Sequence, residues 1–255
     1  MSKILRFEFY KLSKLKSFYI CTLITLIFTV LNAISTYMIA KTNYVDFEEM
    51  GVDVPLSYTG WTYSLSAIAN SQFLTVFGVF IAMFVCSEFD DNIIKNIYSR
   101  GISRTGVFVS KYFASLVAMI VMFVADAVLG FGVGALLWQV GDVGNYFVLI
   151  ATQLAVLVGY HGLFFFVSIW ITKTGGVIAI NVVYPTLTAV SFTLLDKLLN
   201  IDGFKFYDFT LECFYTNVQN INLSGDLIAR AAIVPFIFAA IFALSGALIN
   251  TRKQV

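Results

Sequence analysis

EFDDNIIKNIYSRGISRTGVFVSK, residues 88–111, is a charged island between two long apolar runs. It holds Glu88, Asp90, Asp91, Lys95, Arg100, Arg104 and Lys111, and it is amphipathic where a plain loop is expected. The chain around it has 255 residues, of which 59% are apolar and 12% charged, with a mean hydropathy of +0.86. A soluble domain carries about 25% charged residues, so the composition places the chain in lipid, with no stretch polar enough for a soluble domain.

Working outward, residues 1–17 set Lys3, Arg6, Lys11, Lys14 and Lys16 against one acid, Glu8. Ile4, Phe7, Phe9, Tyr10, Leu12 and Leu15 interleave with them at helical spacing. This predicts a basic amphipathic helix lying on an anionic membrane surface. Residues 18–40 are uncharged and longer than a signal-peptide core, so they read as a retained span. Residues 41–66 read as an acidic loop with Pro55 and an interfacial Trp61. Further spans are expected at about 65–86, 112–138 (broken by Asp126), 146–171, 177–195 (carrying Pro185) and 227–249. A tight loop over 172–176 joins the fourth to the fifth, and 196–226 mixes aromatics, Phe204 among them, with scattered charges. The fold class expected is an all-α integral membrane protein with six transmembrane helices, residues 1–255 forming one transmembrane domain.

Six spans put both termini on one side, and loop charge chooses the side. With the termini inside, twelve of the sixteen basic residues are internal; Lys41, Lys197, Lys205 and Arg230 fall outside or at the outer edge. The expected topology is therefore N-in and C-in in a cytoplasmic (plasma) membrane, with 88–111 and 172–176 in the cytoplasm.

Several chemistries lack their residues. With His161 as the single histidine there is no His-Glu-x-x-His zinc site, and no Gly-x-Ser-x-Gly elbow occurs. No Gly-x-x-x-x-Gly-Lys-Ser/Thr phosphate loop is present either, so any use of ATP falls to another polypeptide. Cys21, Cys86 and Cys213 form no metal or disulfide pattern. No catalytic residue, metal site or nucleic-acid partner is expected.

Within the island, Ile93, Ile94, Ile97 and Tyr98 form one stripe of a short helix, with Lys95, Asn96, Ser99 and Arg100 opposite. Gly101 suits a helix stop, and Ser103 suits the cap of the next helix. Two readings are open: an interfacial helix lying on lipid, or a lever whose apolar face inserts into a groove on a partner.

Glu88-Phe89, Asn92 to Asn96, Gly101-Ile102-Ser103-Arg104 and Lys111 together resemble the loop of ABC type-2 permeases. There the pattern runs roughly Glu-x-x-x-Gly-Thr-Ile-x-Asn, then Pro/Gly-x-Ser-Arg, with a lysine near the next span. The basic amphipathic start, six spans and longer segment between the last two are similar as well. The family's Gly-Thr is replaced here by Asp91-Asn92, which puts the start of the short helix in question. The resemblance implies a permease subunit of a bacterial ABC exporter, its short helix acting as the coupling helix on a separate ATPase that holds ATP and magnesium. Ile93, Ile94, Ile97 and Tyr98 would form the docking face, with Glu88, Arg100 and Arg104 around it and Lys173 in a lesser contact. It also implies a second permease, identical or not, short partly re-entrant helices within 196–226, and export of an antimicrobial peptide or other amphiphile. An ion-coupled secondary transporter and a non-transporting scaffold or sensor are the alternatives.

Inside the membrane, Asp126 and His161 are the candidate substrate-pathway residues, with a structural hydrogen bond, and more remotely proton coupling, as the other readings. Counted along the helices they lie about 21 Å and about 15 Å from the inner ends, close enough in depth to meet if they face each other. Gly130-x-x-x-Gly134 and Ala239, Ala243 and Ala247 are small-residue faces for close packing, within the chain or between chains.

Overall fold

The computed structural model describes residues 2–49, 58–90, 93–199, 205–218 and 223–252. These are helical throughout: α1 (Ser2–Lys14), α2 (Lys16–Glu49), α3 (Gly60–Ile68), α4 (Ser71–Asp90), α5 (Ile93–Ser99), α6 (Arg104–Leu137), α7 (Tyr146–Ile171), α8 (Thr174–Leu199), a 3-10 turn (Tyr207–Phe209), α9 (Leu211–Asn217) and α10 (Gly225–Arg252). Six of them, α2, α4, α6, α7, α8 and α10, are long and apolar enough to cross a membrane. The expected all-α, six-span class is the class observed.

The helix bounds differ from the expected ones where local hydrogen bonding overrides hydropathy. The second span starts at Ser71 rather than 65, because residues 60–68 form the separate helix α3. Thr59 caps that helix by accepting from the Thr62 amide at 3.2 Å, while the Thr62 hydroxyl accepts from the Thr59 amide at 2.7 Å. Asn70 then breaks the run, its side-chain oxygen accepting from the Gln72 amide at 3.1 Å. The third span starts at Arg104 rather than 112, with Ser103 accepting from the Gly106 amide at 3.2 Å. Gly101, at φ +77°, closes α5 as its sequence suggests. The loop expected over 172–176 shrinks to 172–173, with Thr172 left-handed at φ 62° and α8 starting at Thr174. The readings on Pro55, Asp91-Asn92 and Phe204 lie outside the described residues.

Two helices form the interior. In the most apolar stretch of each span, 72% of residues are buried in α7 and 61% in α4, against 22% in α2, 17% in α10 and 11% in α8. Such burial suits α7, which is apolar on every side. Glycine makes its closest contact possible: a Cβ on Gly162 would lie 2.8 Å from the Ala239 Cα of α10. Gly130 and Gly134 receive α3 in the same way, where added Cβ atoms would meet Ala67 at 3.2 Å and Tyr63 at 2.9 Å. Both glycine contacts are made within the chain.

The helices sort the connections to two ends. At one end α1 packs on the start of α6, Asn250 donates to the Arg104 carbonyl at 3.2 Å, and Thr174 donates to Asp90. The N-terminal helix, α5, the 172–173 turn and the end of α10 therefore lie together. At the other end the Gly60 amide donates to the Gln139 carbonyl at 2.7 Å, and the buried Tyr215 of α9 donates to the Ile68 carbonyl at 2.6 Å. The short helices expected within 196–226 are the 3-10 turn and α9.

Candidate functional site

The end that carries α5 also holds a buried ionic cluster. Lys111 of α6 places its ammonium 2.6 Å from Glu88 Oε2 of α4 and 3.3 Å from Glu8 Oε1 of α1. Lys11 of α1 donates to Glu88 Oε1 at 2.6 Å. The Lys111 and Glu8 side chains are each 1% exposed and Glu88 is 5% exposed, and Lys11, 18% exposed, ends the alternating chain of charge at the protein's edge. The Lys111–Glu88 contact is an ion pair whose angles fall outside hydrogen-bond geometry. Phe84 lies beneath both ammonium groups, its ring centre 4.9 Å from Lys11 and 5.6 Å from Lys111. Two acids and two bases cancel, which is the condition for keeping four charges away from water.

Burial shifts the two members that lie on α1. It pushes the Glu8 carboxyl above its usual range, with Lys111 pulling the other way. It lowers the Lys11 ammonium, helped by the like charge of Lys111 and opposed by Glu88. The cluster ties α1 to the last turns of α4 and the second turn of α6, on either side of α5.

On α5 the apolar stripe is divided. Ile94 is 1% exposed and packs inward, Ile93 is 45% exposed, and Ile97 and Tyr98 are half-buried. The outer surface of α5 is thus Ile93, Lys95, Asn96 and Arg100. Ile94 has no exposed face for docking because it fills the joint beneath the helix, and Glu88 is drawn into the ionic cluster instead of lining the surface. Arg104 turns back, its guanidinium 5.2 Å from the centre of the Tyr98 ring. Lys173 is exposed in the neighbouring turn, which Asp90 fastens: the Thr174 hydroxyl and amide donate to one carboxylate oxygen at 2.5 and 3.3 Å. A groove of about 490 Å³ separates α5 from α1.

Asp126 and His161 do not meet. Asp126 accepts from the Thr29 hydroxyl of α2 at 2.5 Å beside a cavity of about 10 Å³, room for roughly one water. His161 Nε2 pairs with the Ser115 hydroxyl of α6 at 2.8 Å and sits edge-on to Tyr112 at 4.6 Å. Ser115 and Asp126 lie on one helix, about 16 Å apart along its axis. Among the described residues no group of three or more metal-binding side chains occurs.

Sequence reasoning misses the pairing of Glu8, Lys11, Glu88 and Lys111, the Asp90–Thr174 clasp, and Glu212 of α9, which accepts from the Tyr160 hydroxyl at 2.6 Å. Burial raises that carboxyl, against the pull of the tyrosine. The signal for the ionic cluster is in the sequence: a lone acid in a basic amphipathic helix, an acid closing one apolar run and a lysine opening the next.

The chain matches the family described as ABC-2 family transporter protein over residues 4–196, from the start of α1 to near the end of α8. No individual curated protein matches it.

Proposed function

The chain belongs to the ABC-2 family of transporter proteins, and on that premise we propose that it is the permease of an ATP-driven exporter whose ATPase is a separate chain. The carrying observation is the mounting of α5. Ahead of it the ionic cluster joins α4, α6 and α1; behind it Tyr98, Arg104 and Asn250 join α5 to α6 and α10. A push on such a helix moves three spans together, which is what a mechanical input from an ATPase requires. ATP and magnesium belong to that partner.

The end bearing α5 faces the cytoplasm in this reading. Lys3, Arg6, Lys14, Lys16, Lys95, Arg100 and Lys173 are all exposed there, the bias that marks an inner face. The docking surface is Ile93, Lys95, Asn96 and Arg100, edged by Ile97 and Tyr98, with Lys173 as the lesser contact. A second permease, identical or not, completes the transporter in a bacterial plasma membrane. The substrate proposed is an antimicrobial peptide or other amphiphile, on the strength of the six-span layout. Asp126 and His161 stay in the reading as pathway residues; unchanged transport by Asp126→Asn at normal expression removes Asp126. An ion-coupled carrier is less well supported, since those two residues are held by separate partners.

The test is purification of the intact complex in nanodiscs from its source. Ile93→Asp is expected to leave the permease folded and to lose the ATPase, because Ile93 is exposed. Undiminished recovery of the ATPase with Ile93→Asp overturns the reading. Stimulation of ATP hydrolysis by candidate peptides and amphiphiles then identifies the substrate class.

A further inference from the structure

The groove between α1 and α5 is lined by Ile4 and Phe7 from one helix, Ile93 and Ile97 from the other, and Ile102 and Val107 beyond them. Its polar lining is unevenly placed. Glu8 is buried at the floor and already paired with Lys111, Asn96 is exposed on α5, and Lys3 and Arg100 are exposed on opposite walls. Neither Lys3 nor Arg100 forms an ion pair among the described residues. The cavity is thus an apolar slot with one exposed cation contributed by each of its two sides.

The surface leading to it has the same character. The exposed face of α1 carries Lys3, Arg6 and Lys14 with Phe7, 54% exposed, and Tyr10, 63% exposed, and no acid. Aromatic rings beside basic groups on a helix next to a span fit the headgroup layer of an anionic leaflet. At that depth the molecules at hand have an apolar tail and an anionic head.

We propose that the α1–α5 groove is a binding site for one anionic phospholipid, its phosphate held between Lys3 and Arg100 and the upper part of an acyl chain lying on Ile4, Phe7, Ile93 and Ile97. The charge pattern selects this occupant: two cations at the mouth meet the phosphate, and the apolar walls meet the chain. An extended protein segment inserted there would leave its backbone polar groups against an apolar lining. The bound lipid joins α1 to α5, so the leaflet's composition bears on the angle of α5. Ile93, Ile97 and Arg100 also belong to the docking surface proposed above, so the lipid and an ATPase contend for that part of α5.

The test is native mass spectrometry of the full chain in detergent, with phosphatidylglycerol or phosphatidylcholine added. Phosphatidylglycerol is expected to be retained preferentially at a stoichiometry of one per chain. The double variant Lys3→Gln/Arg100→Gln should lower that retention by roughly thirtyfold, as removal of two cations near an anionic group implies. Arg6→Gln/Lys14→Gln, which removes as much charge outside the groove, should leave it unchanged. Ile97→Trp, filling the slot, should expel the lipid, with a thermal melt confirming that each variant is folded. Equal retention of the two lipids, or equal losses in the two double variants, overturns the site. Protection of an Ile97→Cys thiol by a co-purified ATPase in lipid-free detergent, with no protection by phosphatidylglycerol, also overturns it and assigns the groove to protein.

Discussion

Lys111 stands in the second turn of a span with its side chain 1% exposed, and it is tolerable there only because Glu8 and Glu88 lie against it. Removing one partner of a buried pair costs about 3–5 kcal/mol, since the other charge stays behind. Lys111→Met is therefore expected to lower the thermal unfolding temperature of the detergent-solubilised protein sharply, and Lys111→Met/Glu8→Gln to restore part of the loss. Glu8→Gln alone should cost less, because burial already favours the neutral carboxyl. The sign of its pH dependence follows. The folded pKa of Glu8 lies above the unfolded one, so between them the folded state holds more protons and stability from this group falls as pH rises. Glu8→Gln should flatten that part of a melting-temperature profile. Each of the four residues is visible in the sequence as a charge at the edge of an apolar run, but the Lys11–Glu88 contact spans 77 positions. No periodicity reports a pairing at that separation.

At the scale of the element, α5 was legible as a helix and only half legible as a surface. The stripe of Ile93, Ile94, Ile97 and Tyr98 fixes its period, and Gly101 and Ser103 mark its end and the next beginning. Which part of the stripe turns inward depends on the packing of α5 against α4, which local periodicity does not register. Ile94→Asp should consequently abolish folding, where Ile93→Asp spares it. The joint after α5 is open to direct test. Nothing lies within 4 Å of a Cβ placed on Gly101, so its φ of +77° is the sole constraint there. Gly101→Val should cost about 1–2 kcal/mol in backbone strain, and Ser103→Ala about 1 kcal/mol from the lost cap of α6. Denaturation midpoints measure both. The break between α3 and α4 was hidden for a different reason: apolar residues run through it, and the Thr59–Thr62 caps and Asn70 act through hydrogen bonds that hydropathy does not register.

Across the whole molecule, six spans and their grouping at two ends follow from run lengths and charge, whereas the order of burial does not. The interior helices α4 and α7 are no more apolar as spans than α6 or α10, yet 17% of residues are buried in the most apolar stretch of α10 and 72% in that of α7. Position among neighbours sets that difference, and glycine placement records it. Gly162→Val should force α7 from α10 and lower the melting temperature in detergent, since its Cβ meets Ala239 backbone at 2.8 Å. Gly132→Ala, on a helix surface with nothing within 4 Å, should instead stabilise by about 0.4–1 kcal/mol. Ile233, Ile237, Leu244 and Leu248 on α10, and Val183, Leu187, Val190 and Leu194 on α8, remain outward.

The ionic cluster also dictates an order of assembly. Glu8 and Lys11 leave the ribosome first, but Glu88 follows Lys11 by 77 residues and Lys111 comes later still. Until α4 and α6 are inserted, α1 lacks Glu88 and Lys111, and its Glu8 and Lys11 offset only each other across one helical turn, beside water. The helix α1 is therefore made before its partners and locked only after them, and the arrival of Lys111 is the event that seals it.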